Sequence, residues 1–134
     1  MKKMLILLLL VFVLALAAGC GGDTSVTAHH IDANTLYTDA EISDAMDAVE
    51  KYFRKHFDGC TLIDLGYDAE RGSAEVAAAW AQQYGAPRAM VLISEFEVGK
   101  NGGDGSLNPN STYKNWNWIL TEEGGRWEVQ TCGY

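Results

Sequence analysis

The chain predicts an α+β domain: an N-terminal helix packed on a curved antiparallel sheet of about four strands, with a second short helix between the first two strands. Three observations predict it. Apolar residues recur at three- and four-residue spacing from Ile42 to Phe57. Cys60–Tyr67 and Arg88–Val98 are strand-like runs with turn residues at their borders. Tyr113–Thr121 and Arg126–Cys132 alternate on either side of Glu122-Glu123-Gly124-Gly125, which reads as a hairpin.

The first helix opens on Thr38-Asp39-Ala40-Glu41, a capping box in which Thr38 caps and Glu41 reaches back. Ile42, Ala45, Met46, Val49, Tyr52, Phe53 and Phe57 then mark one buried face. Asp39, Glu41 and Asp44 lie early, while Lys51, Arg54 and Lys55 lie late, as the helix dipole favours. Asp47–Lys51 and Glu50–Arg54 add exposed pairs one turn apart. Asp58-Gly59 ends the helix.

In the strand Cys60–Tyr67, Thr61, Ile63, Leu65 and Tyr67 share the better core face, and Cys60, Leu62, Asp64 and Gly66 share the other. Ser73 caps the short helix, with Val76, Trp80 and Tyr84 on one side; Gly85 and Pro87 stop it. Met90–Ile93 is apolar at every position, which predicts a central strand within Arg88–Val98. Gly99–Ser111 is a long polar loop. An even-numbered hairpin loop sets Trp116, Trp118 and Leu120 on one face with Trp127, Val129 and Thr131. The other face carries Asn115, Asn117, Glu128 and Gln130, with Ile119 as its apolar exception.

Three segments organise the chain: 1–19 as a leader, 20–36 as a cysteine with a polar tether, and 37–134 as one domain. Lys2 and Lys3 precede an apolar run that is shorter than a membrane span needs, followed by Ala17, Ala18 and Gly19. Leu16-Ala17-Ala18-Gly19-Cys20 resembles the bacterial lipobox, in which cleavage precedes a cysteine that is then acylated. Ala17 stands where Leu is the commoner choice. The expected location is the outer face of the bacterial cytoplasmic membrane, held by lipid on Cys20. Gly21–Leu36 lacks periodicity and reads as a flexible tether spanning roughly 20–24 Å. The formal net charge is −8 and falls to −10 once Lys2 and Lys3 leave with the leader, which argues against nucleic acid as a partner and against electrostatic attraction to anionic lipid, so that the anchor has to be covalent.

Chemistry-bearing residues are few. Trp116, Trp118 and Trp127 line the inner sheet face, with Trp80 facing them from the short helix and Tyr67 nearby. They form a candidate ligand pocket, or simply the core. With Cys20 acylated, Cys60 and Cys132 are the only cysteines left to pair, and both fall on polar faces; strand order decides whether they meet. His29-His30 lacks metal-site spacing and reads as solvated linker. Lys100 to Thr112 fails as a calcium loop, because Lys100, Gly102 and Ser111 fall where oxygen ligands are required, and it lacks a phosphate-loop signature. Asn110-Ser111-Thr112 is a formal glycosylation sequon, which the expected bacterial lipoprotein would not use. His56, Asp64 and Asp68 form no catalytic grouping. No catalytic residue, metal or cofactor is therefore expected.

Several stretches also carry a family resemblance: Tyr37–Ile42 with Ala45–Val49, Gly59–Leu62 with Tyr67-Asp68, Gly102–Trp116, Trp118–Leu120 and the final Gly133-Tyr134. Together they resemble small lipoproteins of Gram-positive bacteria, notably clostridia, whose domain has no assigned function. The resemblance implies a cystatin-like or nuclear-transport-factor-like domain, a helix cupped by a curved antiparallel sheet, and carries over no catalytic residue. The leading expectation is a lipid-anchored, non-enzymatic module that binds a small molecule or a protein. A small enzyme with an acid–base residue in an aromatic pocket is the alternative.

Overall fold

A computed structural model describes residues 21–134; the leader and Cys20 lie outside the described residues. The elements follow in the order β1 (Ala28–Ile31), α1 (Asp39–His56), β2 (Cys60–Tyr67), α2 (Ala74–Tyr84), β3 (Arg88–Val98), β4 (Thr112–Glu123) and β5 (Arg126–Gly133). They build one open sheet in the spatial order β1-β2-β3-β4-β5, with β3 central. β1 runs parallel to β2, and the remaining neighbours are antiparallel. The fold is thus α+β, with a five-stranded mixed sheet in place of the four antiparallel strands expected. Among the described residues, no helix is long and apolar enough to cross a membrane.

The extra strand comes from the segment that reads as a tether. All four residues of β1 are exposed, so no apolar alternation announces it. Hydrogen bonding holds it instead. Upstream of β1, Asp23 bridges to Thr61, its N–H donating to the Cys60 carbonyl (2.9 Å) and its carbonyl accepting from Leu62 N–H (2.8 Å). The Thr27 hydroxyl adds a bond to the Leu62 carbonyl (2.8 Å).

α1 forms as its sequence dictates. Thr38 Oγ1 accepts from Glu41 N–H (3.1 Å), and the Glu41 carboxylate accepts from Thr38 N–H (3.2 Å), closing the capping box. Ile42, Ala45, Val49 and Phe53 are fully buried against the sheet. There they meet Leu62, Leu65, Met90, Leu92, Phe96, Trp118 and Leu120 in one continuous core. Burial of this kind contributes roughly 1.5–3 kcal/mol per large apolar side chain. A buried serine fits here because Trp118 Nε1 donates to Ser94 Oγ (2.7 Å), which in turn donates to the Trp116 carbonyl (3.2 Å).

α2 packs on the opposite sheet face. Its N-cap Ser73 accepts from Val76 N–H, and Gly85 ends it in the left-handed conformation (φ 62°). Ala77 is its one buried residue, set near Ala89, Val91 and Ile119, which alternate with the core-facing side chains of β3 and β4. The hairpin turns on Gly124 (φ 62°) and Gly125 (φ 80°), a two-residue loop whose positive φ angles suit glycine.

Three bulges reset the alternation. In β2 the register passes from Leu62↔Phe96 to Asp64↔Glu95, so Ile63 is the extra residue. The buried residues are therefore Cys60, Leu62, Leu65 and Tyr67, with Gly66 covered under the His30 ring, rather than the strict alternation from Thr61 to Tyr67. In β5 the step from Val129 to Thr131 opposite Leu120 and Ile119 makes Gln130 the extra residue. Cys132 then turns toward the core opposite Trp118, and Thr131 moves to the outer face with Ile119. The third bulge lies in β4 opposite Ser94–Phe96, beside Asn115, which takes a left-handed φ of 58°.

Candidate functional site

The two sheet faces differ in how far they are filled. On the α1 face, Trp118 is fully buried, Trp127 is 8% exposed, and Tyr67 is 1% exposed. Tyr37 packs edge-on against both Tyr67 (5.5 Å between ring centroids) and Trp127 (6.0 Å). Trp116 lies half-buried against Phe57, Phe96, Tyr113 and Tyr134. Its Nε1 is buried and has no hydrogen-bond partner among the described residues. Four of the five candidate pocket residues thus pack within or against the core. Trp80 does not join them: it sits on α2, across the sheet, so it cannot face the other tryptophans.

Trp80 instead walls a cleft of about 340 Å³ between α2 and the β4–β5 end of the sheet. Val76 and Trp80 are one turn apart on α2; Val91 and Ile119 form the floor. Ile119 is the apolar exception on the polar hairpin face, and this floor is its place. Tyr134 borders the cleft on the far side, and Trp80 stacks on Tyr84 (6.1 Å, 23°).

Arg71 brings charge to this cleft through a rigid turn. Asp68 Oδ1 accepts from the N–H groups of Glu70 (3.0 Å) and Arg71 (2.9 Å), and the Asp68 carbonyl accepts from Gly72 N–H (2.9 Å). Tyr67 locks the turn from the core by donating to the Gly72 carbonyl (2.9 Å). A Cβ on Gly72 would come within 2.8 Å of the Tyr67 ring and 3.1 Å of the Val91 carbonyl, so glycine is needed there. Among the described residues no carboxylate forms an ion pair with Arg71. An unpaired guanidinium beside an indole, over an apolar floor, suits a partly apolar ligand carrying a negative group.

A second, polar hollow of about 280 Å³ lies near β1 and β2. His30 Nδ1 stands 3.0 Å from Asp64 Oδ1, and the His30 ring lies over Gly66, where a Cβ would come within 2.3 Å of it. Asp68, Glu95 and Lys114 complete the rim, with Lys114 Nζ 3.8 Å from Glu95. The other histidine of the pair, His29, contacts Glu50 of α1 at 2.5 Å. The adjacent histidines therefore serve opposite sheet faces. Only the pairing of β1 with β2 makes the position of His30 beside Asp64 visible, and Arg71 gives no signal in the sequence because its turn carries no motif.

The two cysteines lie apart. β3 and β4 separate their strands, and both thiols are free. Burial pushes the Cys60 thiol up, with Asp104 and Asp58 adding to the effect, and burial likewise raises Cys132. Both are therefore thiols rather than thiolates at neutral pH. The Tyr37 phenol is pushed up to about 12, chiefly by burial. Among the described residues, no group of three His, Cys, Asp or Glu side chains is placed to hold a metal ion.

No family model matches the chain, and no curated protein or solved structure matches it.

Proposed function

We propose that this protein is a lipoprotein anchored through Cys20 on the outer face of the bacterial cytoplasmic membrane, and that its domain is a non-enzymatic binding module. The leader supports the anchor: a positive start, a short apolar run, then small residues and Cys20. The observation that carries the binding reading is the α2 cleft, where Trp80 and an unpaired Arg71 border an apolar floor. The ligand class that fits is a small, partly apolar molecule with a carboxylate or similar anionic group. In the proposed resemblance to cystatin-like or nuclear-transport-factor-like domains, α1 is the cupped helix. The parallel β1 and the helix on the second sheet face are departures from that pattern.

The test is a thermal-shift screen of the protein against aromatic and aliphatic carboxylates. Compounds that raise the Tm should lose their effect in both Arg71→Ala and Trp80→Ala. Shifts that survive both substitutions, or a screen without shifts, would overturn the reading.

One observation favours an enzyme as the second reading. His30 Nδ1 lies 3.0 Å from Asp64 Oδ1 at the polar hollow, a pairing in which a carboxylate can orient an imidazole as a base. A hydrolytic activity abolished by His30→Gln at unchanged stability would favour it over the binding module.

A further inference from the structure

We propose that the domain has no tether and stands directly on the phospholipid headgroups, on the end formed by the C-terminus of α1, the α1–β2 turn and the Gly99–Ser111 loop. This rests on the reading of Cys20 as the lipid-bearing residue.

The residues after Cys20 are clamped to that end. Gly22 N–H donates to the Arg54 carbonyl (3.0 Å), and Gly59 N–H donates to the Gly21 carbonyl (3.3 Å). Arg54 also donates through Nη1 to Thr24 Oγ1 (2.9 Å). The approach is too close for any side chain: a Cβ on Gly21 would lie 2.5 Å from the Arg54 carbonyl oxygen, and one on Gly22 would lie 2.4 Å from that of Phe53. Gly21 itself has a φ of 141°, open chiefly to glycine. The two glycines that look like the start of a flexible linker are thus the two residues that fit against the helix end. Successive Cα atoms are about 3.8 Å apart, so an acyl anchor on Cys20 leaves this end no slack.

Charge does not choose the end. Arg54, Lys55 and Lys100 lie on or beside the clamped end, and so do Asp23, Asp58 and Asp104. At the other end Asp39, Glu41, Glu122 and Glu123 stand with Arg88, which pairs with Glu41 and Glu122. The backbone clamp alone sets the placement. α1, 18 residues and about 27 Å long, then points its N-terminus away from the bilayer.

The experiment uses the full lipoprotein, purified from membranes and reconstituted into phosphatidylglycerol–phosphatidylcholine vesicles containing headgroup-quencher lipids. A fluorophore is attached at Lys100→Cys or at Glu123→Cys, each in a Cys132→Ser background; Cys60 is buried. Quenching should be at least threefold stronger at position 100 than at 123. Inserting a twelve-residue Gly-Ser linker between Cys20 and Gly21 should bring the two values within a factor of about 1.5. Equal quenching in the uninserted protein, with lipid on Cys20 verified by the mass of its N-terminal peptide, would overturn the orientation and leave the anchor standing. A Cys20 peptide without lipid would overturn both.

Discussion

The two faces of the sheet are built from the same strands and do different work. Toward α1, Met90, Leu92, Phe96, Trp118 and Leu120 are all fully buried, and the Trp118 indole and Ser94 hydroxyl satisfy each other. Toward α2, Ala77, Ala89, Val91 and Ile119 are buried, while Trp80 and Val76 are left half-covered beside a cleft. An 18-residue amphipathic helix fills its face; an 11-residue, alanine-rich one cannot. The difference separates side chains that hold the fold from side chains free to meet a ligand. Large aromatics belong to both sets, so aromatic content alone does not mark a site.

The sharpest way to break this comparison is to truncate one tryptophan on each face. Trp118→Ala should cost about 3–5 kcal/mol, because it empties the core and leaves the Ser94 hydroxyl without its donor. Trp80→Ala should cost only about 1 kcal/mol, because the indole is half-covered and its stacking on Tyr84 is all that is lost. Urea denaturation at constant m reads both. Equal losses would mean that the α2 face is as much a core as the α1 face.

Next in size is a pH effect confined to the α1 side. The Tyr37 hydroxyl, donating to the Ala89 carbonyl at 2.5 Å, is held neutral by burial, with its pKa raised to about 12. The raised value means that the folded state favours the protonated phenol. Its stabilisation is complete below the ordinary tyrosine value of 10.0 and is lost as pH rises through about 12. Each tenfold change in an ionisation constant corresponds to about 1.4 kcal/mol, so the loss across that window should be on the order of 2 kcal/mol once solvent screening at the edge of the core is allowed for. Tyr37→Phe should flatten the stability profile over the same window relative to the parent protein. An unchanged profile would mean that the phenol ionises freely.

What can be read from the sequence follows the same division. α1, its capping box, α2 with its Ser73 and Gly85 ends, and the spans of β2 and β3 are local patterns, and each residue carries its own signal. The bulges at Ile63 and Gln130 are different. A single inserted residue leaves the alternation intact on either side and only reverses its sense, so strict alternation assigns Cys60 and Cys132 to the wrong faces. β1 is legible even less, because its four exposed residues owe their strand geometry to the edge of β2 rather than to their own side chains. The cleft is hidden for both kinds of reason. Finding it requires knowing which face Ile119 shares with Thr131, and that α2 crosses on that face.

A smaller effect separates the two helix ends. Thr38 makes a reciprocal capping box, whereas Ser73 accepts one long bond from Val76 N–H (3.4 Å). Thr38→Ala should cost about 1 kcal/mol and Ser73→Ala about 0.5 kcal/mol. A reversed order in denaturation midpoints would move the stabilising weight to the α2 side.

The smallest expected effect on stability is also the one that bears most on function. Arg71 is exposed and unpaired among the described residues, and its backbone, not its side chain, holds the Asp68–Gly72 turn. Arg71→Ala should therefore shift the Tm by no more than about 3 °C, as for a surface change of about 0.5 kcal/mol or less. Removing the guanidinium would leave the cleft with an apolar floor, an indole and no cation. Binding of a carboxylate should weaken about tenfold or more, since charge-assisted hydrogen bonds contribute roughly 1.5–3 kcal/mol. Arg71→Lys should recover only part of this, because an ammonium cannot grip a carboxylate with two parallel N–H bonds. Full recovery by lysine would mean that the cleft needs a positive charge and not a fork. A loss of stability as large as the loss of affinity would return Arg71, and the α2 face with it, to the structural side of the comparison.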